Sequence, residues 1–348
     1  GTGYPQLNSL SSILRISDTI FEPLAAGRVV AANKAAMQAN VNDAILRAAE
    51  AYLDLQLASG RLAIAREAAG YSERLATIAG DYAQAGQGVE ADYRRALAEY
   101  RRQRRIVQAA SGDLLVASTN LTRLLVLDAR KIVAPLEPAE MKLQLIPDDA
   151  PVEDLIVQAL QNRPEMAQSK ELLKAAAYRA KQARLRPFVP SVSVTYAGGG
   201  LGGGPDAFFG DFGSRGDFMA SFFWELHHLG FADVAAMRRT AAEKRIADLE
   251  LVRTNTQVAA DVAASHEQSI TAAGQIDESK QAVLEAIESL QLNFTNLTRG
   301  AGLPRAPRPI EVLQPIQALA QARQDYLESI LAYNRAQLRL KRALGQHP

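Results

Sequence analysis

Four histidines are the side chains best suited to acid–base or metal chemistry near neutral pH, and their placement supports neither. His227 and His228 are adjacent at the end of a run that reads as a strand, so they would point to opposite faces, a poor metal pair. His266 and His347 are isolated. There is no cysteine, which removes thiolate nucleophiles, thiolate metal sites, disulfides and a lipid-anchoring thiol. No Ser/His/Asp set or carboxylate pair stands with a site around it. The glycines between Gly198 and Gly204 lack the Gly-Lys-Ser/Thr ending of a phosphate loop and precede a strand instead of a helix. Arg94, Arg95, Arg101, Arg102, Arg104 and Arg105 lie off the apolar seam of a helix. On a chain with 39 basic and 38 acidic residues they read as a solvated or partner-docking face, not a nucleic-acid site. The expectation is a chain that is not an enzyme and carries no cofactor and no metal.

The elements that would position any site are mostly helical. Hydrophobic residues make up 48% of the 348, but alanine supplies the excess and aromatics only 6%. Alanine interspersed with Leu, Arg, Glu and Gln suits long helices packed at close range. No stretch approaches the roughly 20 apolar residues of a membrane-spanning helix. No secretory leader is visible, and the opening Gly1-Thr2-Gly3-Tyr4-Pro5 reads as a processed or truncated product.

An internal repeat is the strongest signal. Tyr93, Ala96, Tyr100, Gln103, Val107, Ala110, Leu114, Ala117, Leu121 and Leu124 alternate spacings of 3 and 4, the a/d seam of a heptad. A shift of 219 gives Val312, Pro315, Leu319, Ala322, Tyr326, Ser329, Tyr333, Ala336, Leu340 and Ala343 in the same phase. Upstream, Ile64, Tyr71, Leu75, Ile78 and Tyr82 match Ile276, Val283, Ile287, Leu290 and Phe294 at a shift of 212, so the second tip carries a seven-residue insertion around Ala301 to Pro309. Duplication of a helical hairpin explains the pattern. Helix is expected from about Ala25 to Leu127, broken near Gly86 and Gly88, then in two short pieces from Pro151 to Arg186, then over 232–348 with a break at Gly300 to Pro309. Pro135, Pro138 and Pro147 mark a linker over 128–150.

Strands are expected at about 13–22, 190–198 and 217–227. The clearest alternation places Val192, Val194 and Tyr196 opposite Ser191, Ser193 and Thr195, and Phe218, Ala220, Phe222, Trp224 and Leu226 on one face of the next strand. A Gly-rich loop, Gly198 to Gly216, joins them. Open strand edges cannot stand in a membrane, because unpaired backbone groups cost several kcal/mol each. Other copies of the chain must therefore close the sheet. The repeat implies a fourth strand in or before residues 1–12. Three copies of four strands then give an even-numbered barrel within the known range.

At this point the sequence resembles the outer-membrane efflux protein (TolC-like) family. The residues that carry the resemblance are Asn162-Arg163-Pro164-Glu165-Met166, Arg186-Pro187-Phe188-Val189-Pro190 leading into the strand, and Trp224-Glu225-Leu226 with Leu229-Gly230. Tyr82 with Ala85-Gly86 and Tyr333-Asn334 with Leu344-Gly345 complete it. The fold class expected is mainly α with a small β part: long antiparallel helical hairpins in an α-barrel, plus strands contributed to a trimeric transmembrane β-barrel, with a two-fold internal repeat over about 1–130 and 151–348. Residues 1–24 and 188–229 would form barrel strands and extracellular loop; 25–187 and 230–348 would form the periplasmic helical barrel. The resemblance implies a homotrimer in the bacterial outer membrane, in contact with its lipid and extending into the periplasm, with a periplasmic adaptor and an inner-membrane pump as partners. It implies a passive conduit of a tripartite efflux or type I secretion system. A soluble coiled-coil scaffold and a periplasmic adaptor are the alternatives.

The resemblance also nominates site residues. Family members narrow the periplasmic entrance with acidic residues near the hairpin tips, and Asp92 and Glu311 match those positions. Three copies would make carboxylate rings that favour cations. Tyr82 and Phe294 would hold the tips closed by packing. Apart from the resemblance, Arg299, Arg305 and Arg308 at the second tip are candidate docking or gate contacts.

Overall fold

The computed structural model describes residues 8–128, 130–201, 213–225, 227–299 and 308–347. The order is β1 (Asn8–Arg15), α1 (Ile16–Gln84), α2 (Glu90–Leu124), α3 (Val152–Asn162), α4 (Pro164–Leu185), β2 (Ser191–Leu201), β3 (Gly213–Phe223), α5 (Phe231–Arg299) and α6 (Leu313–Ala343). Short 3-10 turns fall at Arg186–Phe188, His227–Gly230 and Pro309–Val312. The chain forms two compact units: Gly1–Gln38 with Pro164–Thr256, and Ala39–Arg163 with Gln257–Pro348.

The first unit holds an antiparallel sheet in the order β1-β2-β3. Its register puts Leu10, Tyr196 and Phe218 abreast, and likewise Leu14, Val192 and Phe222. Paired residues share a face of the sheet. One face is therefore apolar, and it lies open: Leu10 is 78% exposed, Phe218 71% and Phe222 66%. The other face is more polar, carrying Ser9, Ser11, Ser191, Ser193, Thr195 and Ser221 beside Ile13, Met219 and Phe223. Both outer edges, β1 and β3, lack a partner strand among the described residues.

The structure corrects several element positions. The strand expected at 13–22 is β1 at Asn8–Arg15, and helix α1 starts at Ile16 instead of about Ala25. Ile16, Ile20 and Leu24 recur every four residues, a helical spacing, and Asp18 in the first turn complements the helix dipole. Pro23 inside the helix has no N–H to give the Thr19 carbonyl. The strand expected at 217–227 is Gly213–Phe223. Phe223 pairs with Ser191, so a longer strand would have to pair with Pro190, which has no N–H to give. At its other end the ladder runs into the glycines, pairing Gly198 with Gly216 and Leu201 with Gly213. The loop expected over Gly198 to Gly216 is thus shorter, and its remainder lies outside the described residues. The tyrosine ring explains these glycines: a Cβ on Gly216 would lie 2.9 Å from the Tyr196 hydroxyl oxygen. His227 and His228 are not on a strand but in the turn that follows, where His228, Leu229 and Gly230 all have positive φ.

The second unit packs four long helical segments. α1 and α2 run antiparallel around a tip at residues 85–89, where Gly86 has φ 71° and Gln87 and Gly88 both donate to the Tyr82 carbonyl at 2.9 Å. Gly80 accepts the ring of Tyr93, Tyr100 Oη donates to Glu73 at 2.8 Å, and Leu62 and Ala65 meet Val107, Ala110 and Leu114. The seam positions Ala96, Gln103, Ala110 and Leu121 are buried, as are Val312, Leu319, Tyr333, Ala336, Leu340 and Ala343 of the second copy. α5 meets α6 through Ala272, Ile276, Ile330 and Tyr333.

A charge ladder fixes α6 antiparallel to α1. Arg342 pairs with Asp43, Arg339 with Glu50, Arg335 with Asp54, Glu328 with Arg61 and Arg323 with Glu67, each step up one helix matching a step down the other. Exposed pairs of this kind contribute little each, ~0.5 kcal/mol, but a slipped register would misalign all of them. The Glu328 carboxyl is held below the usual glutamate range by the hydrogen bond from Arg61, then by that from Gln324. A depressed carboxylate adds stability above its unfolded pKa and loses it as pH falls through the lower folded value. Thermal midpoints should therefore drop on acidification below about pH 4.5, and Glu328→Gln should remove under about 1 kcal/mol of that drop, the pair being half exposed. Parallel pH profiles for the two proteins would count against this role.

The linker over 128–150 is held by side chains of the helices it crosses. Asn334 accepts from Leu143 N–H (2.8 Å) and donates to the Met141 carbonyl (2.8 Å). Gln337 Oε1 accepts from Leu145 N–H (3.0 Å) and Ile146 N–H (2.8 Å), while Nε2 donates to the Ile146 carbonyl (3.2 Å) and Ser269 Oγ (2.8 Å). Burial first, then the hydrogen bond to Asp148, raises the Tyr333 phenol well above its usual range, so it stays a donor. Ser118, the counterpart of Gln337 at the 219-residue shift, accepts from Val133 N–H at 2.7 Å. Both copies of the repeat thus grip the linker from the same helix position.

Candidate functional site at the hairpin tips

The two hairpin tips meet through an apolar cluster. Leu75, Ala79, Ala96, Leu290, Phe294, Leu297, Val312 and Ile316 are buried in it, with Tyr71, Ile78, Tyr82 and Tyr93 packed around them. Each hairpin alone would leave this stripe in water, so the cluster is what joins the duplicated halves at this end.

The nominated aromatics belong to this cluster. Tyr82, in the last turn of α1, donates its hydroxyl to the Leu297 carbonyl at 2.8 Å, satisfying one carbonyl near the end of α5. Phe294 packs tilted against Tyr71 with centroids 6.1 Å apart, and the Arg74 guanidinium lies 5.0 Å from the Phe294 centroid.

Asp92 and Arg308, nominated separately on sequence grounds, are brought together. Asp92 sits in the first turn of α2, where the helix dipole favours a carboxylate, and is only 3% exposed. Arg308 precedes the 3-10 turn Pro309–Val312 and reaches across from the second tip. Its Nε lies 3.0 Å from Asp92 Oδ2, and its Nη2 lies 2.8 Å from Oδ1 and 2.8 Å from Oδ2. Fork-like pairing of this kind is among the strong protein hydrogen-bond arrangements. The Arg308 side chain keeps 56% of its surface exposed while its partner is enclosed. The second-tip insertion that the sequence singles out is thus the segment that delivers this arginine.

The other nominated residues stand apart. Glu311 is exposed in the 3-10 turn, its backbone N–H on the Arg308 carbonyl at 3.0 Å. Arg299 is exposed in the last turn of α5. Arg305 lies outside the described residues. Sequence reasoning missed the Asp92–Arg308 pair because its partners are 216 residues apart. The one available hint was an acid at the first tip and an arginine-rich insertion at the second. No helix among the described residues is long and apolar enough to cross a membrane.

Residues 155–346, more than half of the chain, match the family described as outer membrane efflux protein. No match was found among curated proteins. Among solved structures, the chain is similar to a membrane protein from Pseudomonas aeruginosa, with 19% identity, a TM-score of 0.79, and coverage of 98% of this chain and 84% of that one. It is similar to the outer membrane protein VceC of Vibrio cholerae at 18% identity and TM-score 0.80, covering 98% and 79%. The open state of the MtrE outer membrane channel of Neisseria gonorrhoeae aligns at 16% identity and TM-score 0.80, covering 99% and 80%. At these identities the likeness speaks to the fold: duplicated helical hairpins with a small antiparallel sheet.

Proposed function

The chain belongs to the outer membrane efflux protein family, and from that premise we propose how its own residues build and close the duct. It is a protomer of an outer-membrane efflux channel, placed in the bacterial outer membrane and extending into the periplasm. Family and fold are those of channels. The sheet segments within 1–24 and 188–229 form the membrane part, and the helical segments of 25–187 and 230–348 form the periplasmic barrel. The support is the sheet itself, whose apolar face is open and whose polar face suits a wet lumen. A soluble scaffold leaves that open apolar face unexplained.

Edge pairing supports a closed oligomer. β1 and β3 run the same way, since each is antiparallel to β2. Joining three-stranded sheets edge to edge would pair them parallel. An all-antiparallel barrel needs an even number of strands from each copy, hence a fourth strand outside the described residues, and three copies then close the wall. The remaining partners of this reading are a periplasmic adaptor and an inner-membrane pump, with exposed Arg299 among the docking contacts.

The observation that carries the gating proposal is the enclosed Asp92 carboxylate gripped by Arg308. The pair is a latch that ties the first tip to the second and keeps the entrance narrow. Because Arg308 is half exposed, a carboxylate on a docking partner can compete for it, and losing Arg308 leaves Asp92 enclosed without its counter-charge. Opening then moves the tip helices apart. In planar bilayers, Arg308→Ala and Asp92→Asn should each raise single-channel conductance several-fold over the parent protein. Conductance unchanged in both variants removes the pair from the gate.

A further inference from the structure

A second built feature lies in the sheet-bearing unit, where the helices leave the strands. A cleft of about 610 Å³ opens between the start of α1, the end of α4 and the start of α5. Arg179 on α4 and Arg186, seven residues on at the start of the 3-10 turn that follows, line it with Glu22 of α1. Among the described residues none of these three has a hydrogen-bond or ion-pair partner. Their neighbours are committed elsewhere: Arg239 pairs with Glu243 at 2.7 Å, Arg28 with Glu171 at 3.2 Å, and Gln182 with Asp18 at 2.9 Å. Among the described residues, the cleft therefore offers the guanidiniums of Arg179 and Arg186 and the carboxylate of Glu22, while Asp233 in the same lining has a partner.

A second depression, also about 610 Å³, shares Glu22 and Ala26 with the first and runs to Ile13 and Leu14 at the end of β1. The polar cleft is thus continuous with the apolar sheet. Exposed aromatics flank the junctions of strand and helix: Phe188 before β2 is 74% exposed, Trp224 after β3 62% and Phe231 at the start of α5 77%. Such rings mark a membrane–water boundary.

We propose that this cleft binds the headgroup of a zwitterionic phospholipid bearing a phosphate and a primary ammonium, with its acyl chains running onto the apolar sheet face at Leu14. The geometry assigns the phosphate to Arg179 and Arg186, whose planar forks suit its oxygens, and the ammonium to Glu22. A purely anionic headgroup leaves Glu22 facing the phosphate without a counter-charge. The proposal rests on the placement of the sheet in the outer membrane. It gives the oligomer a fixed lipid at the periplasmic rim, below the closed wall of strands.

The test uses full-length protein extracted from outer membranes in mild detergent and examined by native mass spectrometry. Phosphatidylethanolamine, phosphatidylglycerol or inorganic phosphate is titrated in. The parent protein should retain phosphatidylethanolamine in preference to phosphatidylglycerol. Arg179→Gln with Arg186→Gln should weaken retention by about tenfold or more, these being charge-assisted contacts. Glu22→Gln, which leaves the guanidiniums in place, should erase the preference between the two lipids without abolishing binding. Equal retention and equal preference in all variants overturns the proposal, as does displacement of the lipid by inorganic phosphate alone. Failure of the parent protein to fractionate with outer membranes would instead contradict the placement on which the cleft reading rests.

Discussion

Gly345→Ala is expected to destabilise the helical unit by about 3 kcal/mol or more, enough to reduce the amount of assembled protein severely. Gly345 follows the last turn of α6 at φ 77°. Its N–H donates to the Arg342 carbonyl at 2.9 Å and Gln346 N–H donates to the Lys341 carbonyl at 3.2 Å, closing the helix end. A Cβ there would suffer the left-handed backbone and would also lie 2.8 Å from the Arg163 nitrogen and from the Asn162 carbonyl carbon and oxygen. Backbone atoms cannot swing away as a side chain does. The repeat supplies the control. Val126, 219 residues earlier, ends α2 with φ 55° and the same bonding, but as a β-branched residue that is 90% exposed. Val126→Gly should therefore stabilise by about 1 kcal/mol. Denaturant midpoints of the detergent-solubilised proteins measure both. Shifts of the same sign for the two substitutions would contradict the argument.

Gln337→Leu is expected to cost about 3 kcal/mol and to free the linker over 128–150. Leucine fills nearly the same volume, so packing is retained and the loss is polar. It strips partners from the N–H groups of Leu145 and Ile146, the Ile146 carbonyl and the Ser269 hydroxyl. Ser118→Ala removes one bond, to Val133 N–H, and should cost about 1 kcal/mol. Hydrogen exchange resolves the two: amides at 145 and 146 should lose protection in the first variant and the amide at 133 in the second. Unchanged protection at 145 and 146 in the Gln337 variant would show that the amide does not anchor the linker.

What could be read in advance, and what could not, follows from the range of the interactions. The duplicated hairpins were legible because a heptad seam repeats one local rule along whole helices, and the shift of 219 carries even to the helix ends, pairing Val126 with Gly345 and Ser118 with Gln337. β2 was legible because its alternation is strict. The junction of β1 with α1 was not: Ile13, Ile16 and Ile20 fit a strand or a helix over so short a window, and pairing with β2 decides where the strand ends. The latch was hidden by sequence separation. The Asn334 and Gln337 grips were more accessible, since a buried amide beside the seam residues Tyr333 and Ala336 must find partners, and a linker with prolines and unpaired backbone supplies them.

The central claim is that the open-edged sheet is completed by other copies of the chain in the outer membrane. The most direct measurement is native mass spectrometry of the protein extracted from outer membranes in mild detergent, before and after heating. A three-chain species that falls to single chains only on heating is the predicted result. A single-chain species that stays in solution without detergent would contradict the account.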